Sequence, residues 1–138
     1  MSDKNIVLSS TDYEVLRRLV TQLEKNGKVA QPHFARLARE VKAAIVLDEQ
    51  DLPDKVVTMG SRINYTFTQT GETSEVTLVF PAQAKDGDEY LSILAPLGLA
   101  LIGEHEDTDV EYVAPGGTFG IHINSVEHTD ITRAEAGA

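Results

Sequence analysis

The spacing of apolar residues changes along this chain, from a helical period of about 3.6 in the first third to a strand period of about 2 beyond it. The helical stretch carries apolar residues three and four positions apart: Leu16, Leu19, Val20 and Leu23. The later stretch alternates, with Ile63, Tyr65 and Phe67 separated by Arg62, Asn64 and Thr66. Both periods in this order predict an α+β protein with its helices first and its strands after them.

Two helices are predicted before the change of period. The first begins at Thr11, which with Glu14 has the spacing of a capping box, and it ends at Gly27. The second carries Pro32 in its first turn. Its apolar face comprises Phe34, Leu37, Ala38, Val41 and Ile45. Two amphipathic helices with a short connection predict an antiparallel hairpin, a short coiled coil.

The boundary between two domains is predicted near residue 50. Residues 48–54 are acidic and contain Pro53, which indicates a linker. We therefore predict a helical domain at residues 1–50 and a second domain at residues 51–138. The small and charged residues 127–138 are expected to form a flexible tail of the second domain.

The second domain is predicted to contain one short helix among its strands. Pro96 opens this helix, which spans residues 96–102 and is ended by Gly103. Turn residues at 69–72, 81–89 and 115–117 separate the alternating segments around it. The expected order is β-β-β-α-β-β, with the helix packed against a mainly antiparallel sheet.

Charge is distributed unevenly over the 138 residues, which together carry −10. Residues 1–47 contain 8 Lys and Arg against 5 Asp and Glu, a balance of +3, whereas residues 48–138 contain 4 against 17, a balance of −13. An acidic body repels a phosphate backbone, so independent nucleic-acid binding is not expected. The charge either favours docking on a basic protein surface or serves solubility alone.

Catalytic and membrane-spanning signals are missing from the sequence. The chain has no cysteine, which excludes disulfides and thiol catalysis. The four histidines, His33, His105, His122 and His128, form no metal-binding motif, and the acidic stretch around His105 has no fixed ligand spacing. The longest apolar-rich run, residues 93–103, is shorter than the roughly 20 residues that span a bilayer. We expect no enzyme activity, no metal, no cofactor and no membrane association.

Four short strings give the second domain a resemblance to a known family. Residues 91–103, with Ala-Pro-Leu-Gly at 95–98, resemble the strand and short helix of the C-terminal domain of the Gre (GreA/GreB) transcription elongation factors, and residues 113–117 resemble its last hairpin. Residues 56–62, 79–82 and 95–98 are more similar to the regulator of nucleoside diphosphate kinase family, whose members carry a shortened helical hairpin before the same domain. The resemblance covers residues 8–127 and implies an FKBP-like fold for the second domain.

The resemblance also implies a partner. Gre factors dock on bacterial RNA polymerase near its secondary channel, and the position of their docking patch corresponds here to Leu94, Ala95, Pro96 and Leu97. The alternative is that Leu94 and Leu97 belong to the core and Pro96 only starts a helix. We expect a monomeric, cytoplasmic polymerase-binding regulator that competes with Gre factors.

Two other functions remain open from the sequence. The first is an interaction module with a different partner, and the second is a peptidyl-prolyl isomerase, because FKBP-like folds include such enzymes. In Gre factors, acidic residues at the tip of the helical hairpin help to hold the magnesium ion used for transcript cleavage. The predicted tip here, residues 24–28, has one carboxylate flanked by lysines, whereas a shared magnesium site needs several oxygen ligands. Transcript cleavage is therefore not expected.

Overall fold

The computed structural model describes residues 6–28, 31–81, 83–86 and 89–128. The chain divides into two compact units, Met1–Leu52 and Pro53–Ala138. The first unit contains, in order, strand β1 (Val7–Ser9), helix α1 (Ser10–Lys25), helix α2 (Pro32–Lys42) and strand β2 (Ile45–Leu47). The two predicted helices are therefore present, and they pack against each other.

The ends of both helices follow from local chemistry, although one start differs from the prediction. Helix α1 is capped by Ser9 and not by Thr11: the Ser9 hydroxyl accepts a hydrogen bond of 3.1 Å from the backbone N–H of Asp12. Ser9 is fully buried, so its hydroxyl needs a partner within the protein. Gly27, with φ of 72°, ends the helix as predicted, and Pro32 occupies the first turn of α2.

Strands β1 and β2 were not predicted. They pair in parallel, with Val7 opposite Ile45 and Ser9 opposite Leu47. Ile45, expected on the apolar face of the second helix, lies in β2 because α2 already ends at Lys42. A run of β-branched residues favours a strand once a pairing partner is available.

The core of the first unit is an apolar seam between its elements. It contains Ile6, Leu8, Leu16, Val20, Leu23, Leu37, Ala38 and Val41, each no more than 8% exposed. Leu19, expected in this seam, is only half-buried.

The second unit contains the predicted order of strands and helix. Its elements are β3 (Arg62–Phe67), β4 (Thr73–Val79), β5 (Tyr90–Ser92), α3 (Pro96–Leu101), β6 (Asp109–Ala114) and β7 (Gly117–Glu127). They form a five-stranded sheet in the order β5-β4-β3-β7-β6. Gly71, with φ of 77°, lies in the predicted turn between β3 and β4, and Gly103, with φ of 78°, follows α3 as predicted.

The sheet is antiparallel except at one edge. The β4–β3, β3–β7 and β7–β6 pairs are antiparallel, but β5 pairs with β4 in parallel, with Thr77 opposite Tyr90. The sheet is therefore mainly antiparallel, as predicted, and the parallel pair shows that β4 and β5 are not joined as a hairpin. The glycine of the predicted turn, Gly87, lies outside the described residues.

Residues on the inner phase of the strands pack with α3 to form the core of the second unit. Ile63, Leu78, Leu101, Ile121 and Ile123 have no exposed surface. Two residues of the predicted tail belong to the described structure: Glu127 ends β7, and the His128 ring contacts the Val56 carbonyl at 2.7 Å. The rest of the predicted tail, residues 129–138, lies outside the described residues.

Candidate functional site

The turn that connects β5 to α3 is fixed by hydrogen bonds. The backbone N–H of Leu94 donates to the Ser92 hydroxyl at 3.0 Å, and that of Ala95 donates to the Ser92 carbonyl, also at 3.0 Å. Ile93, which is fully buried, anchors the turn, and its N–H donates to the carbonyl of Val79. Pro96 then sets the first turn of α3, since its fixed φ is helical and it lacks the N–H that would have no partner there. The turn is therefore a preformed surface feature.

The four residues predicted to form the docking patch do not have equal exposure. Leu94, Ala95 and Pro96 are partly exposed on the turn, whereas Leu97 is 8% exposed and belongs to the core. The side chains available to a partner are therefore those of Leu94, Ala95 and Pro96. A polar substitution at Leu97 would destabilise the fold and could not test binding.

Gly98 allows α3 to pack directly on this turn. A Cβ atom at position 98 would overlap the carbonyl oxygen of Ser92 and would lie 3.2 Å from the Cα of Ile93. Because both are backbone atoms, a side chain at this position would displace either the helix or the turn. In the Pro-Leu-Gly string, Pro96 therefore starts the helix, Leu97 belongs to the core, and Gly98 allows the backbone of α3 to approach the backbone of the turn.

A polar cluster of His122, Asp107 and Asp109 lies on the outer face of the sheet. Nδ1 of His122 lies 2.6 Å from Oδ1 of Asp109 on the neighbouring strand, and its Nε2 lies 3.0 Å from Oδ1 of Asp107. Asp107 has φ of 63°, a left-handed conformation, and its N–H donates to the carbonyl of Ile123. No local pattern in the sequence indicates this cluster, since only the register of β6 and β7 brings His122 opposite Asp109.

These carboxylates change the titration of His122. The hydrogen bond with Asp109 raises the pKa of His122 above its ordinary value of 6.5, partial desolvation lowers it, and the bond with Asp107 raises it again, so that the net shift is upward. The imidazolium form can donate from both ring nitrogens, whereas the neutral form can donate from only one.

This upward shift predicts a pH-dependent stability. A pKa raised on folding means that the stabilisation is fully present below the unfolded value, near 6.5, and is lost as pH rises through the raised pKa. We expect the melting temperature of the protein to fall with rising pH in this window, and to do so less in a His122→Gln variant. Melts by circular dichroism across this window would measure the difference, and identical slopes for the two proteins would contradict it.

The end of α1 corresponds to the predicted hairpin tip. Its lone carboxylate, Glu24, is already engaged, because the Nζ of Lys42 lies 3.3 Å from its Oε2. Lys25 and Lys28 are exposed beside it. Within the described ranges, no group of three or more His, Asp or Glu side chains is arranged to hold a metal ion. Nor is any helix there long and apolar enough to cross a membrane.

Comparison with known proteins identifies relatives for nearly the whole chain. The family model "Transcription elongation factor, GreA/GreB, C-term" matches residues 52–128. The regulator of nucleoside diphosphate kinase from Escherichia coli is 32% identical over 92% of this chain and 90% of that protein. The transcription elongation factor GreA from Syntrophomonas wolfei is 33% identical over 66% of this chain but only 57% of its own length.

A solved structure has the same fold. The GreA/GreB transcription elongation factor from Nitrosomonas europaea superposes with a TM-score of 0.74 at 34% identity, covering 90% of this chain and 100% of that one. The similarity therefore includes both units and is not restricted to the strand-rich part.

Proposed function

The chain belongs to the GreA/GreB family of transcription elongation factors, and from this premise we propose that it binds bacterial RNA polymerase as a non-catalytic regulator of transcription. Its relatives are regulators and elongation factors, so a regulatory role is the common expectation. The finer proposal is that the second unit docks near the secondary channel of the polymerase, where it competes with Gre factors. The protein would act in the cytoplasm, where the polymerase is.

The turn between β5 and α3 is the single observation that carries this proposal. It presents Leu94, Ala95 and Pro96 at the surface on a backbone held by Ser92 and Gly98. A rigid apolar contact loses little conformational entropy on binding, which favours affinity. The strongly negative charge of residues 48–138 would accelerate encounter with a basic site and make the association sensitive to salt.

Finer aspects of the architecture belong to the same proposal. We take the second unit to be FKBP-like, and we take α1 and α2 to form an antiparallel coiled-coil hairpin, with the domain boundary after residue 50.

A substitution on the turn tests the docking proposal. Leu94→Asp places a charge on the partly exposed turn and is expected to weaken binding to purified RNA polymerase by at least about tenfold, the effect of losing roughly 1.4 kcal/mol. Val113→Asp is the matched control, since Val113 is 68% exposed in β6 of the same unit. Binding can be measured by biolayer interferometry on immobilised polymerase, after melts have verified that both variants fold. Equal affinities for wild type and Leu94→Asp would contradict the assigned patch.

Transcript cleavage offers a separate prediction. The protein is expected not to stimulate RNA cleavage in backtracked transcription complexes, because Glu24 is a lone carboxylate already contacted by Lys42 and a bound magnesium needs converging oxygen ligands. Helix α1 has 16 residues, which at 1.5 Å each gives an arm of only about 24 Å. A cleavage assay with a GreA factor as positive control measures this. RNA shortening above the rate of polymerase alone would contradict it.

A further inference from the structure

Strand β2 leaves an apolar edge uncovered. Ile45 and Val46 are 47% and 41% exposed, and they are two of the three large hydrophobic residues exposed among the described residues. The strand pairs only with β1, so one of its two edges has no strand beside it in the described part of the chain. Consecutive side chains of a strand lie on opposite faces, so apolar surface is exposed on both sides of this edge.

The free edge also presents backbone groups. The N–H of Ile45 donates to the Ile6 carbonyl at 2.9 Å, which directs the backbone groups of Ile45 towards β1. Because successive residues of a strand direct these groups to alternate sides, the N–H and carbonyl of Val46 point away from β1. The backbone N–H and carbonyl of Val46 can therefore form hydrogen bonds with a further strand.

The other strand edges of the protein are protected. Leu8 and Ser9 in β1 are buried, and the 3₁₀ segment Gln83–Asp86 packs against β5. Edge strand β6 carries the charged residues Asp109 and Glu111, which discourage pairing. The sequence of β2 is Ile-Val-Leu, with no charge, proline or bulge to prevent pairing.

We infer that β2 pairs with β2 of a second copy of this chain, antiparallel and about a twofold axis, to form a four-stranded sheet. With Val46 opposite Val46, each copy donates its N–H to the carbonyl of the other, so both outward groups are satisfied. Ile45 then faces Leu47 of the second copy on one side of the sheet, and the two Val46 side chains meet on the other. The inference is independent of polymerase binding.

The charges that flank β2 are complementary in this arrangement. Lys42 precedes the strand and Asp48 follows it, and both are exposed. In the twofold register Asp48 lies opposite Ala44 of the second copy, two residues from Lys42 at the end of α2. Lys42 already contacts Glu24 of its own copy at 3.3 Å, and its three N–H donors allow it a second carboxylate. The pairing joins the units of smaller net charge, since residues 1–47 carry +3 whereas residues 48–138 carry −13.

Sedimentation velocity of the full chain tests the pairing. We expect a monomer–dimer equilibrium in the wild type, with the dimer fraction rising with concentration, and its loss in Val46→Lys. Val113→Lys is the matched control, because Val113 is more exposed but lies on charged β6, and it should leave the dimer intact. Monomers of the wild type at every concentration would overturn the inference.

A cysteine variant provides a second readout that does not depend on affinity. The chain has no cysteine, so Val46→Cys introduces the single thiol of each copy. Opposed residues of a hydrogen-bonded antiparallel pair have Cα atoms about 5.5 Å apart, within the range of about 4.4–6.8 Å that a disulfide spans. Mild oxidation should cross-link Val46→Cys faster than the more exposed Val113→Cys. Equal cross-linking rates would overturn the pairing. A wild type that is monomeric, with a Val46→Lys variant that loses polymerase binding, would also overturn it, because the polymerase would then cover this edge.

Discussion

Gly98→Ala is expected to destabilise the second unit severely. The new Cβ would overlap the Ser92 carbonyl oxygen, and that oxygen belongs to a turn fixed by its own hydrogen bonds. Overpacking of a core costs about 1–3 kcal/mol and occasionally more. We place this substitution at about 3 kcal/mol or above, because backbone rather than a side chain must move. Chemical denaturation monitored by circular dichroism would measure the change in unfolding free energy.

Gly116→Ala is the matched control for this effect. Its Cβ would meet only the ring of Phe119, with the nearest atom at 3.4 Å, which is ordinary contact with a side chain. The change in stability should remain within about 1 kcal/mol of zero in either direction. Similar unfolding free energies for the two alanine variants would contradict the close approach of α3 to the turn.

Leu16→Ala is expected to unfold the first unit while the second remains folded. Leu16 has no exposed surface, and truncation of a buried leucine costs about 2–5 kcal/mol. A unit of this size buries a modest core, so such a loss takes a large part of its stability. Hydrogen exchange followed by mass spectrometry should show loss of protection in α1 and α2 with little change in β3 and β7.

Leu19→Ala supplies the comparison on the same helix. Leu19 is half-buried, so the same chemical change should have a smaller effect. If both variants lost protection equally in the two units, the chain would be unfolding as one cooperative body. That result would contradict separate stability of the helical unit.

Strong local signals were sufficient to predict much of the fold. Alternation of Ile63, Tyr65 and Phe67 with polar residues indicated β3, since one face of that strand is buried and the other is polar. Pro96 and Gly103 fixed the ends of α3, because each restricts the backbone in a way that does not depend on distant residues. The order of elements in the second unit could be predicted for this reason.

Features that depend on distant residues could not be predicted. The pairing of Val7 with Ile45 joins segments separated by both helices, and without it the apolar Ile45 fits a helical pattern equally well. Ser9 and Thr11 each have an acidic residue three positions later, so sequence alone could not decide between them as helix caps. The burial of Ser9 at the end of β1 decides it.

The candidate site was predictable only in outline. The family resemblance pointed to residues 94–97, but the burial of Leu97 depends on how α3 packs, which no local pattern specifies. The contacts of His122 depend on strand register and on the backbone conformation of Asp107. A one-residue change of register would move His122 to the opposite face of the sheet.

Competition for RNA polymerase tests the proposed function most directly. The full chain would be titrated against a labelled GreA factor bound to immobilised polymerase, at low and at moderate salt. A shared docking site predicts that the unlabelled protein displaces the GreA factor, less effectively at the higher salt concentration and less effectively when it carries Leu94→Asp. Simultaneous binding of both proteins would contradict the shared site, and no binding of this chain at any salt concentration would contradict the proposed function itself.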